Sequence, residues 1–447
     1  MSSDVAARAS LAVSLAFHIV FAALGIGLPL MFCIAEGIGL RKRDATWYVL
    51  ARRWSRAAGI LFVVGAVSGT ALSFEFGLLW PRFMGFASGV VGLMFTFEGV
   101  AFFVEAIFLG LYLYGWDRLS PRVHWLSSIP VVISGALASQ FIVAVNAWMN
   151  TPTGFQVVNG TATNIDPFAA MFNPAAPAQA LHMLIAAYQV TGFAVAAVYA
   201  VGMLRGRNDK YHQRGVLLGM ILATVMIPAQ AIVGSWIGEM IARQQPEKLA
   251  AIEGLFQTTA GAPLALFGWV DTSTQQVYFA ITIPKLLSLL SFNNPDATVT
   301  GLDNFPQATW PGLAVVPIAH LAFDTMATLG GLFLLVPLVF WLFYFRRRRT
   351  VPTTRWLMWT LVVCGPLVFV ALEAGWIAAE LGRQPWIIYN IMRTSDGATT
   401  NGGVAVFFFV FLAIYIALAV ATIGLLRRLA REQKTFVTSE KPPGSIE

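Results

Sequence analysis

The chain has 447 residues, of which 57% are hydrophobic and only 11% are charged. A soluble domain carries about 25% charged residues, so this chain cannot clothe itself in a wetted surface, and the composition excludes a free-standing soluble enzyme. A net charge of +7 would suggest nucleic acid in a soluble protein, but here it reads as a signal of membrane orientation.

A membrane-crossing helix needs about 20 mostly apolar residues, and nine such runs follow one another along the chain. The first, near 11–36, carries His18. It is too long for a signal peptide and no small-residue cleavage site follows it, so it is expected as a retained helix. The second runs near 57–77 and contains Glu75. The third, near 91–115, holds Glu98 and Glu105, seven residues apart. At 3.6 residues per turn both carboxylates point to one side of the helix. Two acids stacked inside a membrane suit a proton or cation path. The bland alternative is that a neighbouring Ser, Thr or Trp caps each acid for packing, which is an expensive use of two buried carboxylates.

The fourth run lies near 126–147, the fifth near 178–204 with His182, and the sixth near 216–242. A 69-residue connection, 243–311, then precedes the seventh run near 312–345, which carries His320, Asp324 and Met326. Uninterrupted loops of that length are uncommon and often functional. The eighth run, near 354–377, contains Glu373 and leads into Glu380 and Arg383, three residues apart and so within reach across one helical turn. The ninth lies near 403–426. These runs are long and continuous and do not alternate as barrel strands do. Residues 1–447 therefore read as a single all-α transmembrane domain without internal repeats, with 243–311 as a loop inside it.

Lys and Arg fall unevenly between the two sides. The connections 41–56, 116–125, 205–215 and 346–355, with the C-terminal tail, hold 22, and the opposite connections hold seven. This asymmetry places the N-terminus outside and the C-terminus in the cytoplasm.

Ionisable residues inside spans are costly and usually face the bundle interior. Of the five histidines, His124 and His212 lie in or beside basic connections and are expected to be solvated, whereas His18 and His182 fall in the outer part of the membrane. A buried imidazole can bridge helices, line a wet cavity or bind metal. It is the commonest metal ligand, and haem iron accepts His or Met axially. No Cys/His cluster has zinc spacing. Cys33 and Cys364 sit in apolar runs without a CxxC or CxxCH motif and are expected as packing. Most of the 14 methionines are gap-filling core.

The run Gly375-Trp376-Ile377-Ala378-Ala379-Glu380-Leu381-Gly382-Arg383-Gln384-Pro385-Trp386 resembles the signature of subunit I of the cytochrome bd-type quinol oxidases. Residues Phe97 to Glu105, followed by Gly115-Trp116-Asp117-Arg118, are similar to that family's third helix. Val145-Asn146-Ala147-Trp148-Met149 is similar to its fourth, and Lys248 to Glu253 with Leu266-Phe267-Gly268 to its outer quinol loop. The resemblance covers nearly the whole chain. It implies a quinol:oxygen oxidoreductase of the bacterial cytoplasmic membrane. Such an enzyme oxidises quinol at the outer face and reduces dioxygen to water with protons taken from the cytoplasm, alongside a second membrane subunit. The implied cofactors are a low-spin haem b, a high-spin haem b, and haem d or a further haem b. By position, His18 and Glu380 resemble ligands of the two high-spin haems, and His182 and Met326 the axial pair of the low-spin haem. Glu98 and Glu105 resemble the proton-delivering carboxylates, and Lys248 and Glu253 residues that bind or deprotonate quinol. Arg8, Trp376 and Arg383 resemble residues around the haems, with the arginines meeting propionates.

The chain departs from the pattern at Asp324, where the family commonly carries Arg two positions before the Met ligand. The connection 243–311 resembles the short form of the quinol loop. Two other readings stay open at this level: an ion-coupled transporter using the buried acids, and a haem protein that passes electrons without reducing oxygen.

Overall fold

The computed structural model describes residues 3–431. The tail beyond residue 431, part of the basic count above, lies outside the described residues. In chain order the helices are α1 (Ser3–Lys42), α2 (Ala45–Leu79), α3 (Pro81–Tyr114), α4 (Pro121–Asn150), α5 (Pro167–Met171), α6 (Ala176–Leu204), α7 (Lys210–Gln244), α8 (Pro246–Glu253), α9 (Leu286–Phe292), α10 (Val315–Arg346), α11 (Arg355–Leu381), α12 (Thr394–Gly397) and α13 (Val404–Arg431). Among the described residues, nine of these are long and apolar enough to cross a membrane. Each covers all or nearly all of one expected run and extends beyond it at one end or both. The 40 residues of α1 rise about 60 Å, well beyond a hydrocarbon core of about 30 Å.

Helix starts follow local chemistry. Proline, whose missing N–H costs nothing in a first turn, opens α3, α4, α5 and α8. Asp44 accepts the Thr46 N–H at 3.0 Å and caps α2, and Asp209 accepts the His212 N–H at 2.9 Å and caps α7. Arg214 on α7 donates two hydrogen bonds to Asp44, at 2.7 and 2.6 Å, tying those two first turns together. This guanidinium holds the Asp44 carboxyl down at about 2.

Small residues set the closest helix crossing. A Cβ on Gly192 of α6 would stand 2.7 Å from the backbone nitrogen of Ala223 and 2.8 Å from the carbonyl of Gly219, both on α7. The two backbones nearly touch, as membrane helices without a hydrophobic drive to associate often do.

The apolar interior is split in two. One core lies toward the basic face, with Trp47, Trp54, Tyr112, Tyr199 and Phe340 among its members. The other lies toward the opposite face, with Trp80, Phe83, Trp148 and Ile388. On most spans a middle stretch belongs to neither core: 12–20 on α1, 63–75 on α2, 98–107 on α3, 177–183 on α6, 324–328 on α10 and 373–380 on α11. His18, Glu75, Glu98, Glu105, His182, Asp324, Met326, Glu373 and Glu380 all fall in these stretches, and His320 lies just outside them.

The connections on the face poor in Lys and Arg are folded rather than extended. In 243–311, Thr259–Ala260 pairs with Thr298–Val299, Leu264–Leu266 with Ile281–Ile283, and Trp269–Asp271 with Gln276–Tyr278. These are nested antiparallel ribbons whose strands of two or three residues are too short to show alternation in sequence.

Candidate functional site

His18 stands in the middle layer of α1. Its Nδ1 lies 2.9 Å from Ser68 Oγ on α2, and that hydroxyl donates to the carbonyl of Val64 at 2.9 Å. The hydroxyl therefore accepts from Nδ1–H, which leaves Nε2 with the free lone pair, the state a metal ligand needs. Gly69 keeps the ring uncrowded, since a Cβ there would stand 3.2 Å from His18 Cε1. His182 on α6 meets Gln230 of α7, whose Nε2 lies 3.1 Å from ring Nε2 and 3.3 Å from Nδ1. One turn on, a Cβ on Gly234 would stand 3.8 Å from His182 Cε1. Met326 turns its thioether toward α11, where a Cβ on Gly375 would stand 2.8 Å from Sδ. The structure thus gives His18, His182 and Met326 each a glycine neighbour on an adjacent helix.

Glu380 and Arg383 come together at the end of α11, with Arg383 Nη2 donating to Oε2 at 2.5 Å. Asn146 on α4 donates to the other oxygen, Oε1, also at 2.5 Å. Each oxygen keeps a second lone pair for another partner. The line continues outward: Asn150 Nδ2 donates to Asn146 Oδ1 at 3.2 Å, and Lys248 Nζ donates to Asn150 Oδ1 at 3.0 Å. Lys248 of α8 is thereby wired through two amides to Glu380. Asn150 also lines an open cleft of about 520 Å³ with Thr151, Gln244 and Tyr389. The sequence reading assigned no role to Ser68, Gln230 or Asn150, although Asn146 and Asn150 sit four residues apart, the spacing of one helical face.

Glu105 is buried against α4, where a Cβ at Gly135 would stand 3.2 Å from its carboxyl atoms. Glu98 is half-buried two turns away on the same side of α3. Among the described residues no side chain hydrogen-bonds either acid, so the alternative of capping by Ser, Thr or Trp does not occur. Trp376 is half-buried one turn before Glu380, and Arg8 is exposed on the first turns of α1.

Lys248 and Glu253 are both buried in α8. Burial pulls the Lys248 ammonium down to about 7, and the charge of Arg383 adds to this against the opposing pull of Glu380. Burial pushes the Glu253 carboxyl up to about 8, with Asp324 acting in the same direction. Asp324 has an architectural context. His320 Nδ1 donates to the Ile252 carbonyl at 2.8 Å, its Nε2 lies 3.4 Å from Asp324 Oδ2, and Asp324 faces the backbone amides of Phe267 and Gly268. The departure from Arg thus places an acceptor where the outer loop docks on α10.

Two expectations are corrected. His124 and His212 are buried rather than solvated. α4 begins at Pro121 and α7 at Lys210, so both histidines already lie in the first packed turn of a helix. His212 packs on Gly202 of α6, and His124 turns inward toward α1.

The donors present suit haem. Two imidazoles and a thioether stand in a layer outside both apolar cores, with small residues beside them. Close to Glu380, the buried Arg383 keeps Nε and Nη1 without an acceptor, as a guanidinium awaiting a propionate would.

The family model for cytochrome bd terminal oxidase subunit I matches residues 6–434. A Bacillus subtilis (strain 168) chain described as a cytochrome bd menaquinol oxidase subunit I is 38% identical over 95% of this chain and 96% of its own length. Another from the same organism, described as cytochrome bd ubiquinol oxidase subunit 1, is 30% identical over 90% of this chain and 87% of its own. The solved structure of bd oxidase from Geobacillus thermodenitrificans superposes with a TM-score of 0.91 at 41% identity, covering 96% of this chain and 99% of that one.

Proposed function

We propose, for a chain that belongs to the cytochrome bd terminal oxidase subunit I family, that it is the haem-bearing subunit of a quinol:oxygen oxidoreductase working beside a second membrane subunit. The observation that carries the reading is the middle layer between the two apolar cores, in which His18, His182, Met326 and Glu380 all fall, the last beside the buried, half-satisfied Arg383. On this reading His182 and Met326 hold a low-spin haem b. His18 and Glu380 hold a high-spin haem b and a haem d (or a further haem b), and Arg383, Trp376 and Arg8 surround them. Haem supplies electron acceptance and an iron at which dioxygen binds.

The protein's own groups do the rest. Residues 243–311 form the quinol loop. Glu253 takes a proton from quinol, and Lys248, joined to Glu380 through Asn150 and Asn146, orients the bound head group. Glu105 and Glu98 pass protons for water formation along one side of α3. With the basic face in the cytoplasm of a bacterial inner membrane, quinol protons leave outside and oxygen-bound protons enter from inside. Charge is separated without an ion pump.

The test is a reduced-minus-oxidised absorption spectrum of the purified complex, before and after carbon monoxide. Haem bands with a carbon monoxide response are expected, and His182→Ala is expected to lose the low-spin signal from an assembled complex. A folded, assembled complex without haem rejects the reading, and an unchanged His182→Ala spectrum rejects that ligand.

A further inference from the structure

Glu36 is an acid that the reading above leaves without a task. It is buried near the basic end of α1, and two side chains from other helices converge on it. Tyr112 Oη of α3 donates to Oε2 at 2.6 Å, and His124 Nδ1 of α4 lies 2.6 Å from Oε1. The other ring nitrogen, Nε2, lies 2.9 Å from the Tyr112 carbonyl. A carbonyl can only accept, so Nε2 carries a hydrogen. Two lone pairs cannot face each other at the Nδ1–Oε1 distance, so one further proton sits between His124 and Glu36. It is either on nitrogen beside an ionised carboxylate, or on oxygen beside a neutral imidazole. In both states the pair holds one labile proton in a buried, aromatic box, with the Trp116 ring tilted against the imidazole at 4.2 Å between centroids.

The box stands at the foot of the expected proton path. Tyr112 follows Glu105 by seven residues, as Glu105 follows Glu98, so all three share one side of α3 at intervals of about 10 Å. On α4, Gly135, against which Glu105 rests, follows His124 by eleven residues, about three turns and so the same face. Buried hydroxyls of Ser128 and Ser134 lie between them on α4. On the other side the Arg52–Asp117 pair marks the surface, with Asp117 84% exposed and Arg52 over the Trp116 ring. Cys33 and Tyr48 are the other titratable groups near Glu36.

We propose that the Glu36–His124 pair, braced by Tyr112, is the proton-loading station at the cytoplasmic entrance of the path to Glu105 and Glu98. The labile proton leaves the pair, hops by hydroxyl and water across the intervening distance of about 10 Å and forms an O–H bond on the Glu105 carboxylate, and a hydronium ion from the cytoplasm refills the pair and leaves as water. The inference rests on the reading of Glu105 and Glu98 as proton carriers.

The substitution Glu36→Gln separates relay from clamp. Glutamine accepts from Tyr112 through its oxygen and donates to His124 Nδ1 through its amide. Every hydrogen bond survives and only the labile proton is lost. Proton uptake would be followed with a pH dye after mixing the fully reduced, haem-loaded complex with oxygen, beside an infrared difference spectrum in water and heavy water. A relay predicts a full haem spectrum, loss of a heavy-water-sensitive carboxyl or imidazole signal, and uptake slowed on the order of a hundredfold, the lower end of what a positioned acid or base contributes. Uptake at the native rate in an assembled variant overturns the proposal. His124→Gln is the second variant, and failure of both to assemble also overturns it, because the pair would then be a structural clamp. Glu105→Gln distinguishes the two levels. Slowing there but not in Glu36→Gln overturns the loading station alone, whereas slowing in neither removes the α3 path itself.

Discussion

At the end of α8, Glu253 shows how burial decides what a side chain can do. Its carboxyl is pushed up to about 8 by burial and by Asp324, while burial and the charge of Arg383 bring Lys248 down to about 7. Near neutral pH neither group is fully charged, and α8 avoids the cost of two buried ions. The sign of the pH effect follows. A base must be a carboxylate before it can take a quinol proton. Quinol oxidation is therefore expected to accelerate as pH rises through about 8 and to slow as pH falls below it. Steady-state rates in the wild type and in Glu253→Gln measure this. The variant is expected to lose the rising limb and about a hundredfold in rate, and a variant profile that keeps the limb rules Glu253 out as the base. Residue identities carried part of this reading. His18, His182 and Glu105 stood out because a charged or imidazole side chain inside an apolar run is rare. Glu36 did not, because an acid six residues before Lys42 looks like the wet end of a helix, and only the packed structure turns Tyr112 and His124 onto it.

Between elements, the α6–α7 crossing carries the His182 site, with the histidine on one helix and Gln230 and Gly234 on the other. A methyl group on Gly192 would press on backbone atoms of α7, which cannot rotate away as a side chain can. Gly192→Ala is expected to splay the pair at a cost of about 1–3 kcal/mol, the range for overpacking a tight site. It should lower the thermal midpoint of the complex and weaken the low-spin haem band together. Gly65→Ala on α2, where a Cβ meets nothing within 4 Å, is the matched control. Thermal unfolding followed by haem absorbance reads both. Equal midpoints for the two variants would mean that the crossing is not tight in solution. The spans themselves were legible because a bilayer fixes their length and apolarity. Their overhangs were not, because the added turns of α1 and α2 are polar or mixed and are held by neighbouring helices. The ribbons of 243–311 were hidden for a different reason: their strands are too short for a period, and their order comes from docking on α10 through contacts such as Asp324 to the backbone amides of Phe267 and Gly268.

For the molecule as a whole, the split core and the charge asymmetry make one argument. α8 and the ribbons of 243–311 lie on the side poor in Lys and Arg, the Glu36 box lies on the side rich in them, and the middle layer separates the two. If the 22 basic residues of one side face the cytoplasm, quinol protons and oxygen-bound protons cross opposite surfaces, and each turnover charges the membrane. If the chain were inverted, the same chemistry would discharge it. Orientation is therefore a functional quantity here and can be measured directly. Asn208, in the short α6–α7 connection, and Asn294, in the long outer one, are both exposed. The two native cysteines, Cys33 and Cys364, are partly or fully buried inside spans and give little background. Asn294→Cys is expected to react with a membrane-impermeant maleimide in intact cells, and Asn208→Cys only after the membrane is opened. The reverse pattern would place the quinol loop in the cytoplasm and remove the charge-separating arrangement while leaving the haem assignments intact. Because the basic connections carry about three times the Lys and Arg of the others, and positive residues resist translocation, the first pattern is the expected one.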